Sequence, residues 1–321
     1  MSRPVTQEQE RYFNEMICDQ MMSASGSELI KVAETTGLND AVRWEIREKE
    51  VFGDNVLPIR PVTKDMLYPR LDNDRPAVLI EVEPMSAGAV AVNYGDPTAG
   101  GGFMGARKLL AGSQRLQSRR IQIDVDLLST WRMDLRRIMG DKLVLDLHDM
   151  IDEARFAAIN RFLVGPGTSI QAVGFPLYQT LYGGISRDTI YESTNVMQNT
   201  PQNMTPKTGI ISNVTATEFC KWTRNEVGGD WSQELLKRGK AALQGQPFFG
   251  IDNWIITLKK WLIPNWTVYY FGDPDALGRE YEFQPCVMWG KKEGPFVSFY
   301  YYMNRSCVFV NPAAMVRVDI N

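Results

Sequence analysis

Two stretches of alternating apolar and polar residues, separated by a glycine-rich segment, constrain the fold more than any other feature of the sequence. Residues 77–94 form the first stretch, with one short interruption, and residues 119–126 form the second. Five glycines lie between Gly95 and Gly105. Strict alternation is typical of strands with one buried face, and glycine permits tight backbone turns. Residues 77–126 are therefore predicted to form a long hairpin with a pliable tip.

The expected hairpin is too long for the body that carries it. Each arm of about 16 residues spans about 50 Å at about 3.3 Å per residue. The 321 residues predict either two lobes or one core with large excursions, and a lobe of about 160 residues is only about 40 Å across. Isolated hairpins are marginal in water, so the tip is expected to become ordered on another subunit. A shorter hairpin folded back on its own sheet is the alternative. The candidate intersubunit contacts are Tyr94, Phe103, Arg107, Lys108 and Arg115.

Residues 141–164 carry the strongest helical periodicity in the chain. The apolar stripe comprises Leu143, Leu147, Met150, Ile151, Ala154, Ala158 and Phe162, and the opposite stripe Lys142, Asp146, Asp149, Glu153 and Asn160. Gly140 precedes the pattern, and Gly-Pro-Gly at 165–167 stops it. At about 1.5 Å per residue the predicted helix is about 35 Å long, a spine on which a sheet can pack. Its outer carboxylates alternate with Lys142, Arg155 and Arg161 and are interpreted as a solvated or subunit-facing stripe.

The N-terminal segment has the pattern of an amphipathic helix. Apolar residues recur at intervals of three and four over residues 6–22, among them Tyr12, Phe13 and Met16. Such a helix docks either on its own core or, as an arm, on a neighbouring subunit.

The segment after the spine changes composition and predicts a second lobe. It is rich in Gly, Pro, Asn and Thr, and a polar loop is predicted over residues 193–206. Two short helices follow, separated by a turn at Gly228, Gly229 and Asp230. Residues 263–321 are rich in strand patterns, so the chain is predicted to be α+β.

The composition removes most classes of enzyme. His148 is the only histidine and lies within the helical run, where it is interpreted as a surface residue paired with Asp152. The four cysteines lie far apart and are interpreted as reduced, half-buried thiols; no metal or cofactor site is predicted. The net charge of -3 gives no global attraction to nucleic acid or to an anionic membrane.

Two local patterns are typical of other classes of protein. Gly100, Gly102 and Gly105 match GxGxxG, the motif of a nicotinamide-dependent oxidoreductase, but a turn precedes them where that motif needs a strand. The flexible-loop interpretation is favoured, and the oxidoreductase stays an alternative. Residues 162–186 carry no charge but contain several glycines and prolines, so no membrane span is predicted. The polar N-terminus indicates a chain made in the cytoplasm.

The order of these segments resembles the major capsid proteins of tailed bacteriophages, with the Hong Kong ninety-seven type fold. The most similar stretches are residues 119–128 running into 152–163, and the ending 306–318. In that family the hairpin is called the E-loop, and the helix belongs to a peripheral domain. The resemblance implies an N-terminal arm and extended segment (1–75), an E-loop (76–126), a peripheral domain with the spine helix (127–166), an axial domain (167–262) and return strands completing the peripheral domain and sheet (263–321).

The resemblance also implies a function and partners. The chain would be a structural subunit, not an enzyme, that self-assembles into hexamers and pentamers enclosing double-stranded DNA, with Gly228, Gly229 and Asp230 at the capsomer axis. It would assemble in the host cytoplasm and reside in the virion capsid. Because the arm is expected to begin at residue 6, no scaffolding segment is expected ahead of it, and any scaffolding protein is expected to be separate. Any decoration or portal protein is also expected to be separate. An encapsulin-like shell of the same fold, enclosing cargo enzymes, is the alternative.

Overall fold

Two five-stranded sheets and one long helix form the framework of the chain in a computed structural model. The structure describes residues 47–68, 75–83, 107–130, 135–164, 177–200, 202–222 and 229–321. The predicted α+β class is confirmed within these ranges. The predicted arm contacts Tyr12, Phe13 and Met16 lie outside them.

The strands are β1 (Ile59–Pro61), β2 (Ala77–Val82), β3 (Arg107–Gly112), β4 (Gln114–Gln117), β5 (Ile121–Asp124), β6 (Tyr178–Leu181), β7 (Thr208–Ser212), β8 (Asn253–Thr257), β9 (Thr267–Phe271), β10 (Gly278–Glu293), β11 (Phe296–Phe309) and β12 (Met315–Ile320). The α-helices are α1 (Gly53–Val56), α2 (Val125–Thr130), α3 (Leu135–Val164), α4 (Arg187–Gln198), α5 (Asn213–Phe219), α6 (Gly229–Arg238) and α7 (Pro274–Leu277). Short 3-10 turns span Lys64–Met66, Gly239–Ala242 and Pro312–Ala314.

A long antiparallel ribbon, β10 with β11, organises the first sheet. The strand order is β1-β10-β11-β4, and β5 also pairs with β11 beyond the end of β4. The β11 residues Val297, Phe299 and Met303 are buried on the face that packs against α3. The ribbon is therefore a scaffold with one face covered by the spine helix.

The hairpin pairs differently from the prediction. β2 is antiparallel to β3, with register from Ala77 opposite Gly112 to Val82 opposite Arg107. The predicted returning arm, residues 119–126, instead contributes β5 to the first sheet. Alternation reveals that a strand has one buried face but not which strand is its partner, and β3 itself does not alternate.

The second sheet collects strands from both halves of the chain in the order β6-β12-β9-β7-β8. β9 and β12 belong to residues 263–321, whereas β6, β7 and β8 belong to residues 167–262. The sheet therefore crosses the predicted boundary at residue 262. Its assignment to an axial domain stays a prediction.

The spine helix α3 begins earlier than predicted. It contains 30 residues, about 45 Å at about 1.5 Å per residue, and Gly140 lies inside it. A Cβ at Gly140 would lie 2.7 Å from the hydroxyl of Tyr301. Gly140 therefore permits close approach of the ribbon and does not end the helix.

The buried face of α3 changes along its length. Its first half packs Leu143 and Leu147 against the first sheet. Its second half packs Phe156, Ile159 and Leu163 into the main core beside the second sheet. The predicted apolar stripe is therefore wrong at Ala154 and Ala158, which are exposed, whereas Phe162 packs against the main core as predicted. One helix serves two sheets, so a single stripe cannot describe it.

Helix α4 occupies the first half of the predicted polar loop at 193–206. Ser186 caps it, with its side chain accepting a hydrogen bond from the Thr189 N–H. Ser193 is buried, donates to the Ile190 carbonyl (2.7 Å) and shares a hydrogen bond with the Tyr270 hydroxyl (2.5 Å). The polar composition that predicted a loop is accommodated because these buried hydroxyls have partners.

Candidate intersubunit surfaces

The hairpin base, defined as β2 and β3, has one face on the chain's own body and one face open. Val78, Ile80 and Ala111 are buried against Tyr281 of the ribbon. On the other face Leu110 is exposed. The core contact fixes the direction in which the hairpin leaves the body.

The predicted hairpin contacts are divided between described and undescribed residues. Arg107 begins β3, and Lys108 forms an exposed ion pair with Glu81 (Nζ to Oε1, 3.0 Å). Tyr94 and Phe103 lie outside the described residues, as do Gly100, Gly102 and Gly105 of the GxGxxG match. The described residues 107–115 lie along the chain's own strands, so contact with another subunit stays a prediction for all five residues.

Arg115 lies on the ribbon face opposite the spine helix. It stands opposite Asn304 in the β4–β11 pairing, and its guanidinium carbon lies 4.4 Å from the centre of the Tyr302 ring. Tyr300 stacks beside Tyr302 (6.1 Å between centroids), and Trp289 beside Tyr300 (5.0 Å). This aromatic face is partly exposed and can take a polar, flat partner surface.

The N-terminal segment enters the body along the spine helix. We call residues 47–57 the anchor segment. Arg47, its first residue, bridges Asp146 and Asp149 of α3, both at 2.5 Å. Two carboxylates of the predicted outer stripe therefore form ion pairs within the chain itself. Val51, Phe52 and Leu57 are buried in the main core. The segment fixes where the first 46 residues leave the body.

A buried ion network joins the anchor segment to the spine and the ribbon. Arg155 of α3 bonds both Glu50 of the anchor segment and Glu280 of β10. Arg305 of β11 approaches Glu50 at 2.8 Å and Glu280 at 3.7 Å. His148 Nδ1 lies 3.3 Å from Glu50. Two acidic and two basic groups thus alternate where three elements meet, so the charges compensate one another.

Electrostatics keeps Glu50 ionised despite its burial. Burial by itself would raise the pKa of Glu50, because it penalises the charged form. The hydrogen bond from His148 and the charges of Arg155 and Arg305 outweigh that effect and lower the pKa from 4.5 to about 2. Glu50 therefore remains charged well into the acidic range.

Asp152 of α3 forms a second buried polar contact with the anchor segment. Its carboxylate accepts hydrogen bonds from the Val51 and Phe52 backbone N–H groups and from Lys259 Nζ (2.6 Å). The predicted pairing of His148 with Asp152 is therefore wrong, since His148 contacts Glu50 instead. Burial opposes the charge on Lys259, but Asp149 and Asp152 raise its pKa above the usual value.

No sequence pattern indicated this network. Arg155 was interpreted as one of the charges alternating on a solvated stripe, yet it is buried. Glu280 and Arg305 lie on strands of alternating pattern. That pattern does not show which face of each strand is buried, so it does not predict that these two side chains are buried. A detectable signal was available, because Arg155 stands four residues before the apolar Ile159 and so lies on the face that α3 buries.

The predicted capsomer-axis residues fall at the start of a helix. Gly229 and Asp230 are the first two residues of α6, whereas the sequence predicted a turn there and a helix from residue 232. Gly228 lies outside the described residues. A position of the three residues at a capsomer axis stays a prediction.

The described residues offer few groups that could bind a metal ion or react as a nucleophile. No group of three or more His, Cys, Asp or Glu side chains there is arranged to hold a metal ion. None of the described helices is both long and apolar enough to cross a membrane. Cys220, Cys286 and Cys307 are free thiols, and Cys286 is exposed rather than half-buried as expected. Burial raises the pKa of Cys307 to about 12, against a smaller opposing effect of Arg155.

Among comparisons with known proteins, only the comparison with solved structures finds similar proteins. No protein-family model and no curated protein matches the chain. Among solved structures, the capsid of cyanophage P-SCSP1u is similar with a TM-score of 0.58 at 10% identity, covering 90% of this chain and 94% of that one. The cyanophage Pam1 capsid gives 0.59 at 8% identity, covering 88% and 95%. The mature capsid of bacteriophage PhiM1 gives 0.56 at 10% identity, covering 89% and 91%. The chain therefore has the fold of phage capsid proteins, the Hong Kong ninety-seven type.

Proposed function

We propose that this chain is a structural subunit of an icosahedral phage capsid, which self-assembles into hexamers and pentamers that enclose double-stranded DNA. The observation that carries the proposal is the shared fold, which extends over about nine-tenths of this chain and of each capsid chain compared. Coverage of this extent leaves no large part of the fold unmatched. The oxidoreductase alternative receives no support from these comparisons.

The hairpin base supports a role in assembly. The strand pair ends at Val82 opposite Arg107, and residues 84–106 follow beyond Glu83. If the two strands continue, about 11 residues in each arm add about 35 Å beyond the anchored base. A rigid base gives every copy the same direction of projection, and repeated identical contacts close into symmetric shells. We infer that Tyr94, Phe103, Arg107, Lys108 and Arg115 serve contacts of this kind.

The anchor segment supports a second contact between copies. Its ion pairs and buried apolar residues hold the point from which residues 1–46 depart. The amphipathic pattern around Tyr12, Phe13 and Met16 then suits an arm laid on a neighbouring subunit. The proposed site of action is the virion capsid, after assembly in the host cytoplasm.

The charge balance suits a shell around DNA. A net charge of -3 avoids the many phosphate contacts with which a strongly basic lining would hold the genome. Contact with packaged DNA would then be weak and independent of sequence.

The test is the size of the species that the intact chain forms. Sedimentation velocity of the purified protein, with electron microscopy of the fastest fraction, is expected to show closed particles tens of nanometres across. A discrete species below about 150 kDa at every salt concentration, also with a scaffolding protein present, would contradict the proposal. Particles that enclose a cargo enzyme and no DNA in the native host would favour the encapsulin-like shell.

A further inference from the structure

One end of the second sheet brings together segments that are distant in sequence. Leu181 at the end of β6 stands opposite Ile320 near the end of β12, and Thr267 at the start of β9 stands opposite Asp319. On the other side of β9, β7 and β8 end side by side. The segments that follow or precede these strand ends therefore share one end of the sheet.

Exposed aromatic side chains concentrate at this end. Tyr182, directly after β6, is 81% exposed; Trp261, in the connection from β8 to β9, is 56% exposed; and Trp266, directly before β9, is 39% exposed. We call these three residues the aromatic rim. Leu262 and Ile263 beside Trp261 are buried, so the connection is packed on its own core while the indole stays outside.

Trp266 is exposed at a conformational cost. Its φ is +66°, in the left-handed region that a residue with a side chain rarely adopts. The backbone is held there from both sides, because its N–H donates to Thr215 Oγ1 (3.0 Å) and its carbonyl accepts from the Ile320 N–H (2.8 Å). Strain of this kind persists where the surroundings fix it, and it is concentrated at functional positions.

We propose that the aromatic rim is a contact with an adjacent copy of this chain; the inference rests on the proposed capsid function and names one of its surfaces. Fully covered aromatic side chains bury about 150–250 Å² each, so the exposed fractions leave about 250–450 Å² to cover. A stable interface needs about 800 Å² from each partner. The rim is therefore too small to hold an isolated dimer, but it fits one of several contacts made by each subunit in a closed assembly.

The segments that carry the rim are almost uncharged. Residues 181–186 and 261–267 contain no charged side chain, although the exposed Lys260 lies directly before Trp261. A contact between identical copies therefore brings few like charges together here, and aromatic residues are the ones that most often dominate interface energies.

The first test compares solvent access of these side chains in subunits and in assembled particles. Hydroxyl-radical footprinting read by mass spectrometry is expected to show Tyr182, Trp261 and Trp266 oxidised severalfold more slowly after assembly. Tyr270, which is fully buried in the subunit, is the control and should react slowly in both states. Particles in which the rim reacts as fast as in free subunits would overturn this inference alone. Failure of the chain to associate at all would overturn the proposed function and the rim contact together.

The second test separates contact from folding. Trp266→Gly removes the indole and also relieves the left-handed strain, so the subunit should keep its thermal stability while assembly requires about tenfold more protein. Tyr182→Ser, at the most exposed position, should act in the same way. Unchanged assembly thresholds in both variants would contradict the contact. A loss of subunit stability with unchanged assembly would assign Trp266 to the chain's own packing.

Discussion

At Glu50 the effects of burial and of neighbouring charge oppose each other, and charge prevails. The pKa is lowered from 4.5 to about 2, so the folded chain binds this proton less tightly than the unfolded chain does. The contribution to stability is therefore complete above about pH 4.5 and is lost as the pH falls through about 2. Glu50 therefore stays ionised in mild acid.

Glu50→Gln should destabilise the subunit by about 3 kcal/mol at neutral pH, since it removes the charged partner that Arg155 and Arg305 share and leaves both guanidinium groups less fully compensated. Chemical denaturation of both proteins at several pH values measures the difference, which should shrink between about pH 4.5 and 2. Glu81→Gln, at the exposed pair with Lys108, is the control and should cost less than about 1 kcal/mol. A difference between Glu50→Gln and wild type that is equally large at pH 3 and pH 7 would refute the assigned pKa.

Gly278 begins the ribbon where there is no space for a side chain. A Cβ there would lie 2.2 Å from the Val308 carbonyl oxygen, which belongs to the backbone and cannot swing away. Gly278→Ala should therefore cost about 1–3 kcal/mol or more. Gly112→Ala meets no atom within 4 Å and should be neutral in the same melting experiment. Equal melting temperatures for the two variants would show that the ribbon is not held this closely.

Much of the element pattern is readable from local sequence, but partner choice is not. The periodicity around Leu143 and Leu147 predicted the spine, and the alternation at 77–82 predicted β2. The partner of β2 was assigned wrongly because alternation over 119–126 serves the ribbon just as well. The contacts of Glu50 were inaccessible for the same reason, since its partners lie 98 to 255 residues away.

The spine helix supplies a direct test of its two buried faces. Ile159 is fully buried, whereas Ala158 is exposed although the sequence placed it on the apolar stripe. Ile159→Ala should cost about 2–5 kcal/mol, and Ala158→Ser less than about 0.5 kcal/mol. Urea denaturation of the two variants distinguishes them. A larger loss of unfolding free energy for Ala158→Ser than for Ile159→Ala would support the single apolar stripe predicted from the sequence.

The hairpin can be shortened without disturbing its base. Replacing residues 84–105 by Asn-Gly leaves Glu83 and Ala106 joined by a two-residue turn that suits antiparallel strands. The core contact of Val78, Ile80 and Ala111 remains, so the subunit should unfold at its normal temperature. Particle formation, followed by light scattering, should be lost. Particles of normal size from the shortened chain would show that assembly does not require the hairpin.

At the scale of the whole molecule, one chain supplies a rigid body and two segments whose positions that body fixes. The ion network around Glu50 and Arg155 ties the anchor segment to the spine and ribbon, and the cluster around Tyr281 ties down the hairpin base. Closed symmetry then requires that identical surfaces meet in every copy. In the proposed capsid, many individually small contacts would add up only in the closed shell.

The most direct measurement is an electron cryomicroscopy reconstruction of assembled particles at a resolution that traces residues 84–106. The capsid account expects the chain to run outward from Val82 and Arg107 and to lie across an adjacent copy. A hairpin folded against its own body, with no contact to a neighbour, would contradict it.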